Sequence, residues 1–241
     1  MEERRTAVIL LAAGKGKRMQ SEVQKQFMLL NGRPLLYYAA SVFERSPVQD
    51  VILVTGAGEI EYCRREIVEK YGFTKIKQII PGGKERYHSV YEGLKALERL
   101  GYKETDYVLV HDGARPFVDA DILERILADV RTYGACAAGM PSKDTIKLSD
   151  EEGFARHTPE RSLVWMIQTP QAFTFSIIKT AYDKMMGREE YQRGVTDDAM
   201  VVETMTEERV KLTEGSYRNM KVTTPEDMAV AEAFLKLNGE R

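Results

Sequence analysis

Gly14 and Gly16 stand within a run of cations, and that pairing is the first chemistry this chain offers. In Ala12-Ala13-Gly14-Lys15-Gly16-Lys17-Arg18-Met19 the glycines let the backbone bend and turn N–H groups toward an anion. Lys15, Lys17 and Arg18 add positive charge at the same place, and Lys25-Gln26 follows closely. The combination suits a polyphosphate. A dinucleotide fingerprint does not fit, because Met19 stands where the third glycine belongs. The second strand, Val51-Ile52-Leu53-Val54, also runs into Thr55-Gly56-Ala57-Gly58 without a carboxylate for a ribose. A Walker loop fails as well, since no Gly-Lys-Ser/Thr is present. A glycine turn with solvated lysines stays open on this segment alone.

Further clusters lie downstream. Pro81-Gly82-Gly83-Lys84-Glu85-Arg86-Tyr87-His88-Ser89-Val90 follows a strand and opens a helix, so it brings helix N–H groups to a base or ribose. His111-Asp112-Gly113-Ala114-Arg115-Pro116 follows another strand. Its lone carboxylate suits Mg²⁺ or a substrate hydroxyl beside phosphates, and equally a turn residue capping the strand end. Arg161, Thr169-Pro170-Gln171 and Asn219-Met220-Lys221-Val222-Thr223 add phosphate-competent groups.

The elements that must position these groups alternate. Strands are predicted over 7–12, 51–54, 76–80, 107–111 and 135–139, and helices near 34–45, 59–71, 86–100 and 120–133. Tyr87, Val90, Tyr91, Leu94 and Leu97 share one helical face. Repeated β-α units imply an α/β, Rossmann-like, mostly parallel sheet flanked by helices, with ligands at the carboxyl ends of the strands. From 140 to about 172 the rhythm breaks. Residues 143–148, a turn at Asp150-Glu151-Glu152-Gly153, and residues 154–158 read as a protruding β-hairpin. An isolated hairpin is marginal in water, so a second subunit or the chain's own domain must cover it. Helices near 175–186 and 197–206, strands near 209–213 and 220–223, and a last helix capped by Thr224 with Pro225 at its first position complete the reading.

Composition bounds the partners. The chain has 241 residues, 43% hydrophobic and 30% charged, with a formal net charge of −2. This is the balance of one globular domain over 1–241 and does not suggest a general nucleic-acid binder. Cys63 and Cys136 lack metal-ligand or disulfide spacing and read as buried apolar groups. The apolar run after Arg5 is too short and too acidic at its start for a secretory segment. The uncharged stretch from Ser162 to Ile178 is too polar to span a bilayer, so the expectation is a cytoplasmic protein without membrane contact.

Taken in order, these segments, with Asp144-Thr145 and Thr196-Asp197-Asp198-Ala199, resemble the cytidylyltransferases of the non-mevalonate isoprenoid pathway nearly end to end. The resemblance implies transfer of CMP from CTP to 2-C-methyl-D-erythritol 4-phosphate with Mg²⁺. Enzymes for another polyol phosphate, such as ribitol 5-phosphate, share this chemistry. It implies Arg18, Lys25 and Lys221 as catalytic cations, and Ala12, Ala13, Gly14, Gly16, Gly83, Lys84 and Ser89 around the nucleotide. Asp112, Thr145, Arg161 and Thr169 would serve the sugar phosphate, with Asp112 also beside the metal. It further implies a homodimer through an arm over 141–168, whose Thr145 and Arg161 reach the neighbouring site. Gln24 departs from the family's usual proline and Lys84 from a common acidic residue, which puts the hold on Lys25 and one nucleotide contact in question.

Overall fold

The computed structural model describes residues 4–14 and 24–237. Its centre is a seven-stranded sheet. In chain order the strands are β1 (Thr6–Ala12), β2 (Leu29–Leu30), β3 (Arg33–Pro34), β4 (Asp50–Thr55), β5 (Ile76–Pro81), β6 (Tyr107–Asp112) and β7 (Ala135–Pro141). They continue with β8 (Leu148–Ser149), β9 (Ala155–His157), β10 (Trp165–Thr174) and β11 (Lys211–Glu214). The sheet order is β11-β7-β10-β6-β1-β4-β5, and β10 alone runs against its neighbours β6 and β7. The α/β reading with a mostly parallel sheet therefore holds.

Strands β1, β4 and β6 are buried on both faces because helices cover both. On one face α1 (Leu35–Arg45) and α4 (Ala120–Tyr133) pack Leu36, Phe43, Ile122 and Ile126 against Val8, Leu10 and Leu109. The segment expected as a helix over 59–71 lies on this side. It starts as a 3₁₀ turn (Ala57–Glu59), passes one α-turn, α2 (Ile60–Tyr62), and widens into π-helix over Cys63–Glu69. On the other face α3 (Arg86–Arg99), α5 (Phe175–Met186) and α6 (Asp198–Met205) pack Leu94, Leu97, Ile178 and Tyr182 against Ile9, Val108 and Phe173. Helix α7 (Pro225–Leu237) closes a smaller cluster with Leu30, Leu35 and Val222. Thr224 caps it as expected: its Oγ1 accepts from the Asp227 N–H at 3.4 Å.

Two expectations need correction. Residues 220–223 form no strand; one bond, from Val222 N–H to the Ala114 carbonyl at 2.8 Å, ties them to the loop after β6. The hairpin ladder is also shorter than 143–148 with 154–158, because only Leu148–Ser149 and Ala155–His157 pair. Its turn is where the sequence placed it, with Asp150 N–H bonded to the Phe154 carbonyl and Gly153 at φ +88°. The arm expected over 141–168 is rooted in the main sheet, where Trp165, Met166 and Ile167 pair with Pro141, Met140 and Gly139. Beyond that ladder the excursion runs from 142 to 164.

Candidate active site

Parallel strands deliver their carboxyl ends to one edge, and four of the expected segments meet there. Leu11 of β1 pairs with Asp112 of β6, and Gly113 N–H donates to the Leu11 carbonyl at 2.8 Å. The chain through Ala12, Ala13 and Gly14 thus leaves the sheet beside Asp112. Lys25 returns to the same place: its Cε lies 4.0 Å from where a Cβ on Gly14 would stand. On the far side of β4, β5 leads into Gly82-Gly83. A Cβ on Gly83 would stand 2.3 Å from the His88 Cβ, so this approach excludes a side chain. Gly83 N–H donates to Ser89 Oγ at 3.1 Å, and Glu85 with His88 forms a capping box that opens α3. His88 is thus part of the helix start. Lys84 is exposed and none of its side-chain contacts is found among the described residues. Gly16 and Arg18 lie outside the described residues.

Asp112 is the centre of this edge. It is 7% exposed, yet its carboxylate faces Lys221 Nζ at 2.7 Å, Arg86 Nε at 3.3 Å and Arg115 Nε at 3.9 Å. Burial alone would push its pKa up. Arg86, Lys221 and Arg115 outweigh burial and hold the carboxyl well below the usual range, so it is ionised throughout the physiological range. Arg86 is shared. Its other two nitrogens fork onto Asp198 at 2.9 and 2.7 Å, and Tyr182 donates to the same Asp198 at 2.6 Å. Asp198 is fully buried at the start of α6, where its N–H and that of Ala199 donate to Gln171 Oε1. Three positive groups against the two carboxylates leave one net positive charge at this edge. That is the sign an incoming phosphate requires.

Thr169 joins the group through a distortion of β10. The register slips between Ile167 and Gln171, so Gln168, Thr169 and Pro170 bulge from the ladder. Thr169 Oγ1 accepts from Asp112 N–H at 3.1 Å and donates to His111 Nδ1 at 3.1 Å. The other ring nitrogen of His111 donates to the Arg115 carbonyl at 3.3 Å. Burial lowers the His111 pKa to about 4, so the ring is neutral with both nitrogens engaged and serves as a brace, not a base. Asn219 completes the support. Its Nδ2 donates to the Thr169 carbonyl at 2.9 Å, and its own carbonyl accepts from Arg115 at 2.8 Å. This places Lys221, two residues on, over Asp112.

The structure thus brings together Ala12, Ala13, Gly14, Lys25, Gly83, Ser89, Asp112, Thr169 and Lys221. It does not bring Thr145 and Arg161 to the same place: both are exposed on the arm, and neither side chain has a partner among the described residues. Arg86, Arg115, Asp198, Gln171 and Asn219 carried no assigned role in the sequence reading. The available signal was Asp197-Asp198 at a helix start, opposite a buried-strand Gln171. Asp112 does not fit a resident magnesium ion, because its oxygens already face three cations and the neighbouring Asp198 is committed to Arg86 and Tyr182. Among the described residues no group of three or more His, Cys, Asp or Glu could hold a metal. A separate cavity of about 1060 Å³ opens between α1 and α4, lined by Tyr37, Arg45, Leu123 and Arg131, and none of the expected site residues borders it.

Comparison with known proteins decides the family. The family model described as 2-C-methyl-D-erythritol 4-phosphate cytidylyltransferase matches residues 6–237. The chain belongs to that family. It is 47% identical over 233 residues to the Lachnoclostridium phytofermentans protein of that name, covering 96% of this chain and 97% of the relative. It is 44% identical to the one from Alkaliphilus oremlandii, covering 98% and 97%. The 4-diphosphocytidyl-2C-methyl-D-erythritol synthase structure from Anaerococcus prevotii superposes with a TM-score of 0.84 at 34% identity, covering 97% of this chain and 96% of that one. The Francisella tularensis cytidylyltransferase gives 0.79 at 26% identity, covering 95% and 99%. The chain is accordingly a nucleotidyltransferase. It moves the cytidylyl group of CTP onto 2-C-methyl-D-erythritol 4-phosphate, giving 4-diphosphocytidyl-2-C-methyl-D-erythritol, and the ribitol phosphate alternative is not favoured.

Proposed function

We propose that the reaction is an in-line attack of the methylerythritol phosphate on the α-phosphorus of CTP, run by convergent cations without a general base. The observation that carries this reading is the Asp112 edge, where Lys221 and two arginines surround a buried carboxylate beside the strand that leads to Gly14, with Lys25 set against Gly14. A phosphate monoester is mostly a dianion at pH 7, its second pKa being about 6, so it is already a nucleophile. The obstacle is repulsion between two anions. Lys25 and Arg18 neutralise the triphosphate as charge moves onto the leaving pyrophosphate, and Lys221 receives the attacking phosphate.

Ala12, Ala13, Gly14 and Gly16 serve the triphosphate, while Gly83, Lys84 and Ser89 flank the nucleoside. Asp112 accepts a hydroxyl of the polyol, and Thr169 fixes the backbone that carries Asp112. Magnesium bound to the triphosphate oxygens and water would offset part of the nucleotide's charge.

The arm supplies the rest from a second copy. Phe154 is 68% and Leu163 76% exposed, and Leu148, Met166 and Ile167 extend the apolar surface, a pattern that marks an interface. A homodimer through this arm would bring Thr145 and Arg161 over the partner's site. The protein works in the cytoplasm, a reducing compartment that suits the free, buried Cys63 and Cys136. No helix among the described residues is long and apolar enough to cross a membrane.

Incubation with CTP, Mg²⁺ and either methylerythritol phosphate or ribitol 5-phosphate, following pyrophosphate, tests the reading. Release with the first and little with the second is expected. Release driven by ribitol 5-phosphate alone would overturn the substrate, and equal release by a Lys25→Ala, Lys221→Ala double variant would overturn the cation mechanism.

A further inference from the structure

Lys25 sits in a single 3₁₀ turn, Lys25–Phe27, that must hold a long flexible side chain against Gly14. A lone 3₁₀ turn has little stability of its own, so its neighbours decide where Lys25 points. Three anchors surround it. Phe27 is buried and meets the edge of the Tyr62 ring at 4.9 Å. Gln26 is 1% exposed, and its Nε2 donates to the Ala12 carbonyl, the end of β1. The third anchor is Gln24. Its Oε1 accepts from Gln26 Nε2, and its own Nε2 donates to Glu59 Oε1 at the start of α2.

Glu59 reaches Gln24 because residue 56 has no side chain. A Cβ built on Gly56 would stand 1.8 Å from Glu59 Oε2, so the carboxylate occupies the space that a methyl group would fill. The backbone turn helps, with Glu59 N–H donating to the Gly56 carbonyl at 3.0 Å.

We infer that Gln24, Glu59 and Gly56 form a polar latch that positions Lys25, coupling the turn after the phosphate loop to the loop after β4. The inference rests on the proposed role of Lys25. The latch touches neither substrate; Gln24 and Glu59 act through Lys25 as positioning residues. A group pre-organised in this way contributes most when charge moves, so loosening it lowers turnover more than it weakens substrate binding. The backbone at Gln24, φ −61° and ψ 137°, is one a proline ring adopts without strain. A Gln24→Pro variant would therefore hold the turn by ring stiffness instead of hydrogen bonds.

The test is steady-state and single-turnover pyrophosphate release, with melting curves for every variant. Gln24→Ala and Glu59→Ala are each expected to lower kcat about tenfold and leave KM for methylerythritol phosphate within about twofold. Gly56→Ala, which displaces the Glu59 carboxylate, should act in the same direction. Glu59→Gln, which keeps the acceptor, and Gln24→Pro should recover most of the loss, and Gln24→Pro should make turnover indifferent to Glu59→Ala. In a Lys25→Ala background, Gln24→Ala should cost nothing further. Parental kcat in both alanine variants, or the same tenfold loss with and without Lys25, would overturn the latch. Parental turnover of Lys25→Ala itself would instead overturn the role of Lys25.

Discussion

The Asp112 edge and the 142–164 arm are built on opposite terms. At the edge, Asp112, Thr169 and His111 are 7%, 4% and 0% exposed, and each has its polar atoms engaged by groups from β6 and the loop after it, α3, β10 and the 219–221 segment. In the arm, Leu148, Phe154 and Leu163 are 52%, 68% and 76% exposed, and the ladder is two short strands. The described part of the edge is built from one chain; the arm leaves apolar side chains uncovered. A buried ionic cluster tolerates no loose member, because removing one partner strands the other in low dielectric. A projecting hairpin gains its stability from whatever it docks on. On the proposed reading, charge placement belongs to the buried edge, and the arm contributes through a second copy.

The sharpest way to break this contrast is to remove a cation from the rigid side. Lys25→Ala or Lys221→Ala is expected to lower kcat by about a thousandfold or more, since each loses an interaction strongest in the transition state; the melting temperature should hold in Lys25→Ala and fall in Lys221→Ala, which leaves the buried Asp112 short of a partner. Near-parental turnover would show that the edge does not run the chemistry. Charging the apolar arm comes next: Phe154→Glu with Leu163→Glu should convert a dimer into a folded monomer by analytical ultracentrifugation and cut activity by about a hundredfold. A third step is smaller and selective. Arg161→Ala should raise KM for methylerythritol phosphate by about tenfold while KM for CTP moves less than about twofold, whereas equal shifts would deny Arg161 a sugar-phosphate contact.

A stability measurement sharpens the picture of the rigid side. Burial holds His111 at about pKa 4 against about 6.5 in an unfolded chain. Between those values the unfolded chain binds a proton that the native one refuses, so stability rises with pH across this window and falls on acidification. The loss from pH 7 to pH 4 should approach about 3 kcal/mol from this group. Urea unfolding at several pH values checks it, and His111→Gln should flatten the slope. Asp112 adds its own loss only below about pH 4, where its depressed carboxyl protects the fold until it protonates.

Much of this organisation is legible in the chain because buried parallel strands and amphipathic helices write different periods. Val51–Val54 and Tyr107–Val110 are unbroken apolar runs, and the strands found at Asp50–Thr55 and Tyr107–Asp112 contain them. Strand β10 is not legible. Gln168, Pro170 and Gln171 interrupt it with groups that local pattern assigns to a loop, and only tertiary partners, Asn219 and Asp197, explain why they are buried. Residues 220–223 show the reverse: Met220 and Val222 alternate like a strand, yet Val222 packs under α7 instead of joining a ladder.

Within the site, glycine loops and the Asp112 turn announce themselves because each needs special backbone at a strand end. The Arg86–Asp198 fork and the Asn219 brace do not, because no short-range rule links groups brought together only by the fold. Gln24 falls between. As a departure from a proline it reads as a weakness, and only the Glu59 contact shows what replaces the lost stiffness.

The central claim is that one active site takes its rigid edge from one chain and its arm from another. Subunit mixing measures this directly: Lys221→Ala and Arg161→Ala proteins, each impaired alone at limiting sugar phosphate, are combined, dissociated and reassociated. Mixed dimers would contain one site with both side chains intact, so activity should return to about a quarter of the parental value. Activity no greater than the average of the two separate variants would contradict the shared site.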